Sequence, residues 1–327
     1  MKKLGGLFGG SKITRILYGS DFHGSDLVFR KFIAAGIQYK AQALIVGGDV
    51  TGKAMIPVIN QGGGVYKGEL FGRHEHASNP DEMDKLKKTI SNVGFYPLVL
   101  EKDEAAELEN NPELMSHQFE LEMCKRVKDW MKLAEEKLAP HKIHLYFMPG
   151  NDDLYSVDKE IEGFTYVHNP DMQLYTIDDY YHLIGNSNAN MTPWACARDL
   201  EEEDLQKKLD ELASMIQNPS RTIVAIHVPP YDSKIDTCPD LDKDLKIITR
   251  GSQVVLKSAG SPAVRSFIEK VQPLLALHGH IHESPGHTRI GRTLCINAGS
   301  EYAEGIMKAA IINLEGDTVK GHMLTSA

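Results

Sequence analysis

Ile13-Thr-Arg-Ile-Leu-Tyr-Gly-Ser-Asp-Phe-His23 sets a pattern that the chain repeats four more times. Ile13–Tyr18 is a short run dominated by apolar residues, with glycine at its end, and reads as a buried strand; Asp21 and His23 follow at once. Ala43–Val46 runs into Gly48-Asp49, Ile143–Met148 into Gly150-Asn151-Asp152-Asp153, Thr222–Ile226 into His227, and Leu274–Leu277 into Gly279-His280-Ile-His282. In open α/β architectures ligands bind outside the carboxyl ends of the strands, so five clusters of polar side chains placed there predict one shared site.

The donor types predict metal chemistry. Asp21, Asp49 and Asn151 offer hard oxygens, and His23, His227, His280 and His282 offer imidazoles, a mixture that suits divalent first-row ions and needs no thiol. Seven donors are more than one such ion takes. With Asp49 as a bridge, each of two ions receives four protein ligands and keeps room for water or substrate, at the roughly 3.5–4 Å spacing of two-metal sites. An open coordination position is the mark of a catalytic rather than a structural ion.

The ordered set D-x-H, G-D, G-N-x-D, H and G-H-x-H resembles the calcineurin-like metallophosphoesterase superfamily, over residues 13–53 and 143–300. The resemblance implies an α/β (α+β) fold, a two-layer β-sandwich flanked by helices. It also implies Asp21, His23, Asp49 and His282 on one ion, and Asp49, Asn151, His227 and His280 on the other. The implied enzyme is a metal-dependent phosphohydrolase, a phosphodiesterase or phosphatase that uses a bridging hydroxide. Mn²⁺ is the first choice of metal, with Fe²⁺, Zn²⁺ and Ni²⁺ as alternatives, and the expected substrate is a small phosphate ester.

One position departs from that pattern. Diester-cleaving members commonly carry G-N-H-D or G-N-H-E, where the histidine can protonate the leaving group, and here the position is Asp152, followed by Asp153. Beside two dications a carboxylate keeps its charge and has no proton to give. Asp152 and Asp153 are therefore weak catalytic candidates, with His74 or His76 as other possible donors. Lys53, Asn186, Asn188 and Tyr231 are candidate substrate contacts, because each follows a predicted strand on the metal edge.

Each piece alone has a plainer reading: His23 as a core histidine, Gly48-Asp49 as a strand-to-turn junction, Asn151 as a turn residue. Their order is what outweighs these readings. Gly47-Gly-Asp-Val-Thr-Gly52-Lys53 also matches the phosphate-binding G-x-x-x-x-G-K. Ala54 stands where Ser or Thr would hold Mg²⁺, and Asp49 would point a negative charge into the cradle. Two other classes compete with the phosphohydrolase. An amidohydrolase would open, not close, its metal set with H-x-H, and a metal-binding scaffold would be suited by Asp152 and a large insertion.

The 327 residues, 42% of them apolar, suffice for a substantial core, and the expected organisation is one domain over 1–327 with an insertion at about 54–142. A net charge of −9 argues against an extended nucleic-acid face. Cys124, Cys196, Cys238 and Cys295 form no C-x-x-C pair, which predicts reduced thiols in a cytoplasmic protein. No apolar run is long enough for a membrane span, the glycine-rich start reads as a loose tail, and a homo-oligomer is left open.

Helices are expected from Phe29, Phe32, Ile33, Gly36 and Ile37, from Leu205, Leu209, Leu212 and Ile216, and from Val264, Phe267, Ile268 and Val271 behind a Ser261 N-cap. In the insertion, Gly62-Gly-Gly64 with short runs Gly64–Tyr66 and Glu69–Phe71 predicts a hairpin. Pro80–Val93 and a stretch from Pro112 predict helices, and the acidic Glu101–Glu122 a solvated face or mobile connection. Thr288–Ile290, Thr293–Ile296 and Ile306–Leu314 predict closing strands, and Gly185–Asn190 a turn cluster.

Overall fold

The computed structural model describes residues 13–327, so the glycine-rich start lies outside the described residues. β1 (Thr14–Gly19), α1 (Asp26–Gln38) and β2 (Ala43–Gly47) come first. Next are β3 (Met55–Gly62), β4 (Val65–Leu70), β5 (Arg73–Ala77), α2 (Pro80–Asn92), β6 (Tyr96–Leu100), α3 (Lys102–Asn110) and α4 (Pro112–Leu138). β7 (His144–Met148), β8 (Val167–His168), β9 (Tyr175–Ile177), β10 (Tyr181–Asn186), β11 (Ala189–Asn190), β12 (Asp199–Leu200), α5 (Glu202–Met215) and β13 (Thr222–Ile226) follow. Four short strands, β14 (Thr237–Pro239), β15 (Thr249–Arg250), β16 (Gln253–Val254) and β17 (Leu256–Ser258), lead to α6 (Pro262–Val271). β18 (Leu275–His278), β19 (Gly286–Ile290), β20 (Thr293–Asn297), β21 (Lys308–Glu315) and β22 (Thr318–Ser326) end the chain.

Two six-stranded sheets make an α/β architecture, in the orders β22-β21-β1-β2-β7-β8 and β19-β20-β18-β13-β10-β9. Their central strands are parallel, and antiparallel strands lie toward one edge of the first and at both edges of the second. Because side chains alternate along a strand, each central strand supplies two cores. Ile16, Tyr18, Ile45 and Met148 of one sheet meet Leu183, Ile223, Leu277 and Ile296 of the other. Leu17, Leu44, Val46 and Phe147 turn outward onto Phe29 and Phe32 of α1 and Trp130 of α4. Val224, Ile226 and Ala276 do the same against α5 and α6. Burial on both faces is why the central strands read as unbroken apolar runs.

Local signals agree with these helices. Ser25 caps α1 by accepting from Val28 N–H, and Ser261 caps α6 by accepting from Val264 N–H, with Pro262 in the first turn. Ile216, expected on the α5 stripe, is instead its extended C-cap.

Residues 55–100 depart from the simple hairpin. β5-β4-β3-β6 form a separate four-stranded sheet, backed by α2 over a small core of Val58, Leu70, Ala77, Leu86 and Ile90. Val65–Leu70 is one strand, and the break predicted near residue 68 falls at Phe71-Gly72, where φ values of 52° and 73° make the turn. The acidic segment is no loose connection: Glu101 and Glu104 form a reciprocal capping box that starts α3. Among the described residues no helix is long and apolar enough to cross a membrane.

Candidate metal centre

The loops after β1, β2, β7, β13 and β18 converge at the carboxyl ends of the two sheets, held by main-chain bonds between loops. Asp21 N–H donates to Gly48 O (2.9 Å), His23 N–H to Asp49 O (3.0 Å) and Gly279 N–H to His227 O (2.9 Å). Asp21, Asp49 and His280 take left-handed φ values of 59°, 49° and 66°, and His23 one of 39°. Non-glycine residues are uncommon there, and Asp and His are among those that tolerate it best. Two glycines allow the approach, since a Cβ at Gly150 would strike Asp49, and one at Gly279 would strike Ser20 and Asp21.

The converging side chains form two groups, Asp21/His23/His282 and Asp49/His227/His280, and a third, His23/Asp49/Asp152, that spans them, with donor atoms within 4.8 Å of one another in each. Asn151 joins the second, its Oδ1 lying 3.1 Å from His227 Nε2 and 2.9 Å from His280 Nδ1. Asp49 faces both groups, with Oδ1 3.3 Å from His227 Nε2 and Oδ2 3.8 Å from His23 Nε2. Asp21 accepts from His280 N–H and lies 3.4 Å from His282 Nε2.

The hydrogen bonding shows that a cation fits here. His227 Nδ1 is 2.8 Å from Gly47 O; a carbonyl can only accept, so Nδ1 carries a proton and Nε2 is the atom that faces the site. Asn151 Nδ2 donates to Asp199 (2.7 Å), which turns Asn151 Oδ1 toward the same point. Nε2, Asn151 Oδ1 and Asp49 Oδ1 converge, so that a proton on Nε2 or, in its place, a shared cation satisfies the two oxygens. On the other side His23 Nε2 and His282 Nε2 are 3.1 Å apart, and His23 Nδ1 is buried without a hydrogen-bond partner.

Proton affinities divide the histidines into two pairs. Burial works against charge on His227, yet Asp49 beside it raises the ring to about 9. Burial, then Lys53, pushes His23 down to about 3, and burial, then the charge on His227, pushes His280 down to about 4. Burial would raise both Asp21 and Asp49, but His282 and His227 respectively hold them below the usual carboxylate range. The ionised carboxylates and the neutral His23 and His280 are in the forms that bind metal, whereas the protons that Asp49 and Asp21 hold on His227 and His282 would leave as an ion binds.

The remaining expected residues are placed unequally. Asp152 sits on the rim, its Oδ2 3.1 Å from Lys53 Nζ and 3.8 Å from His23 Nδ1. Asp153 is buried and accepts from the main-chain N–H groups of Gly150, Val50 and Thr51 and from Thr51 Oγ1, so it ties the two loops together and does not face the site. Asn186 and Asn188 are also buried. Asn188 Nδ2 donates to Arg198 O, and Asn186 Oδ1 accepts from Asn188 N–H with its Nδ2 3.6 Å from Met172 Sδ, contacts that shape the loop. Gly185–Asn190 is accordingly not a turn cluster but the end of β10 and the short β11. Tyr231 is exposed on the loop that Arg265 fastens to α6, and His74 and His76 are exposed on β5. Lys53 leads into a strand, not a helix, so the G-x-x-x-x-G-K stretch lacks the helix N-terminus of a phosphate loop.

Sequence reasoning missed Asp199, which orients Asn151, and Tyr302, whose ring centroid is 4.7 Å from that of His23. It also missed Ser300, which donates to Asp21 O at 2.6 Å. The signal for the last two was available: Asn297-Ala-Gly-Ser-Glu-Tyr302 follows a parallel strand onto the same edge. An open cleft of about 420 Å³ begins at His282 and is lined by Glu283, Glu301, Tyr302, Glu304 and Lys308.

No family model matches the chain. An uncharacterized protein of Methanocaldococcus jannaschii is 29% identical over 166 residues, 50% of this chain and 67% of that protein. A solved crystal structure aligns with 97% of this chain and 99% of its own at a TM-score of 0.54 and 13% identity. Protein TT1561 of Thermus thermophilus aligns over 93% and 99%, with a TM-score of 0.52 and 12% identity. These two are likenesses of fold alone. An archaeal phosphodiesterase superposes at a TM-score of only 0.31 with 11% identity, too distant to bear on function.

Proposed function

We propose that the chain is a metallophosphoesterase of the calcineurin-like kind, a hydrolase of small phosphate esters and in the first place a phosphodiesterase. The observation that carries this reading is the Asp49 carboxylate, one oxygen turned to His227 and the other to His23, which would let it serve two ions. Asp21, His23 and His282 would hold one ion, and Asn151, His227 and His280 the other. When bound, such ions polarise a phosphoryl oxygen and lower the proton affinity of water. Manganese remains the first choice, since availability more than affinity decides occupancy.

The chain's own residues supply the rest. Lys53 brings an ammonium to the rim, where it can hold a phosphoryl oxygen. Asp152, paired with it, provides no histidine-like donor, which favours esters whose leaving groups need little protonation. Residues 54–142 form an insertion within a single domain in this reading. The test is to strip the protein of metal, reload it with Mn²⁺, and measure bound ions together with hydrolysis of nitrophenyl mono- and diesters. Two ions per chain and Mn²⁺-dependent turnover are expected. Full turnover with no divalent ion, or one ion per active chain, overturns the dinuclear reading.

A further inference from the structure

Asp152 stands between two unlike neighbours. Its Oδ2 meets the Lys53 ammonium, and its Oδ1 lies 3.6 Å from Cys196 Sγ. Cys196 belongs to the loop that joins β11 to β12, and that loop is pinned to the metal-ligand turn. Asp199 accepts from Thr192 N–H (3.0 Å), Thr192 Oγ1 (2.5 Å) and Cys196 N–H (2.9 Å) through one oxygen, and from the Asn151 amide through the other. Arg198 N–H donates to Asn151 O (3.0 Å).

Within the loop, Ala195 N–H bonds to Thr192 O at 3.2 Å, closing a turn with Pro193 and Trp194 at its corners. Pro193 fixes φ at the first corner, and the rigid turn holds Trp194 outward, 63% exposed, with Met191 46% exposed beside it. A lone exposed ring on an ordinary surface would say little. This ring caps a pinned turn, two residues from the thiol that touches Asp152. The cleft at His282 has an aromatic ring of its own, Tyr302, but in an acidic setting that disfavours a phosphate ester. Glu283, Glu301 and Glu304 line it against one lysine, Lys308, which Glu301 already engages at 2.9 Å.

We propose that Trp194 is a specificity residue that stacks the base of a nucleoside phosphoester while Lys53 holds its phosphoryl oxygens. The inference rests on the phosphoesterase reading above and adds the substrate class. Base stacking on an aromatic ring tolerates any base, so a preference for nucleosides over other esters is expected, without a preference among bases.

The chain has two tryptophans, and Trp130 is buried at 1% exposure, so quenching of exposed-tryptophan emission reports Trp194. AMP added to the Mn²⁺-loaded protein should quench that emission, ribose 5-phosphate should not, and Trp194→Ala should abolish the response. In kinetics, the thymidine 5′-nitrophenyl ester should have a KM about tenfold below that of methyl nitrophenyl phosphate. Trp194→Ala should erase that advantage with kcat kept, and Trp194→Phe should restore much of it. Equal quenching by ribose 5-phosphate, or a thymidine advantage that survives Trp194→Ala, overturns the proposal. Turnover of both esters without AMP quenching removes the stacking role and leaves the hydrolase. AMP quenching without turnover of any ester removes the hydrolase and leaves a nucleotide-binding surface.

Discussion

The carboxyl edge of the two large sheets and the four-stranded sheet of residues 55–100 are both built from strands and tight turns, yet they tolerate different things. At the edge, the strands before the ligands are buried on both faces, and neighbouring loops bond to one another through Asp21, His23 and Gly279. That surrounding structure can hold four non-glycine residues at positive φ. In the smaller sheet five buried side chains make the core, and a Cβ at Gly62, Gly63, Gly64 or Gly72 would touch nothing within 4 Å. Rigidity sits where donor atoms must meet within a few tenths of an ångström, and slack sits at the turns that approach no ligand. The two regions touch near Gly52, whose N–H donates to Tyr96 Oη at 2.6 Å.

The contrast breaks most visibly at Asp49. Asp49→Asn should cost at least one of two bound ions and lower turnover by more than the about 10–100-fold that outer partners of a metal ligand contribute. Elemental analysis with kinetics checks this, and two ions retained at full activity would end the bridging role. Asp152→His should act in the opposite direction, raising cleavage of alkoxide-type diesters by up to about 10²–10⁴-fold and of nitrophenyl esters little, because only the former need a proton. Equal gains on both would point to a change in binding instead.

Asp199→Asn sharpens the comparison by leaving every proposed ligand in place. With the Asn151 amide no longer fixed, affinity for the second ion should fall about 10–100-fold by calorimetry while the first ion stays bound. Equal loss of both ions would make Asp199 a general support of the edge. Ile90→Ala, in the smaller core, should weaken that sheet by about 2–5 kcal/mol. Faster hydrogen exchange in β3 to β6, with β1, β2 and β13 still protected, is the expected pattern. Trimming Gly62–Glu75 should have the smallest effect, a changed KM with both ions kept. If the ions leave with the turn, the smaller sheet helps to build the centre.

Much of the edge was legible because each central strand is buried on both faces and therefore apolar without a break. Thr222–Ile226 matches its predicted bounds, and Ala43–Val46 falls short by one residue. The same rule failed at β22, where one face is solvated and Lys320, Gly321 and His322 interrupt the apolar positions. It failed again at Val65–Leu70, read as two runs, Gly64–Tyr66 and Glu69–Phe71, where the structure has one strand that turns at Phe71-Gly72.

The sequence by itself determined which strands are central, that their carboxyl ends carry Asp, Asn and His, and in what order, because local apolarity and the residue after it are written side by side. Only the tertiary structure decided that Asp153 ties loops together and that Asp199, 48 residues beyond Asn151, orients its amide. Those facts depend on loops from distant strands meeting at one edge, and no periodicity along the chain encodes a hydrogen bond across that distance.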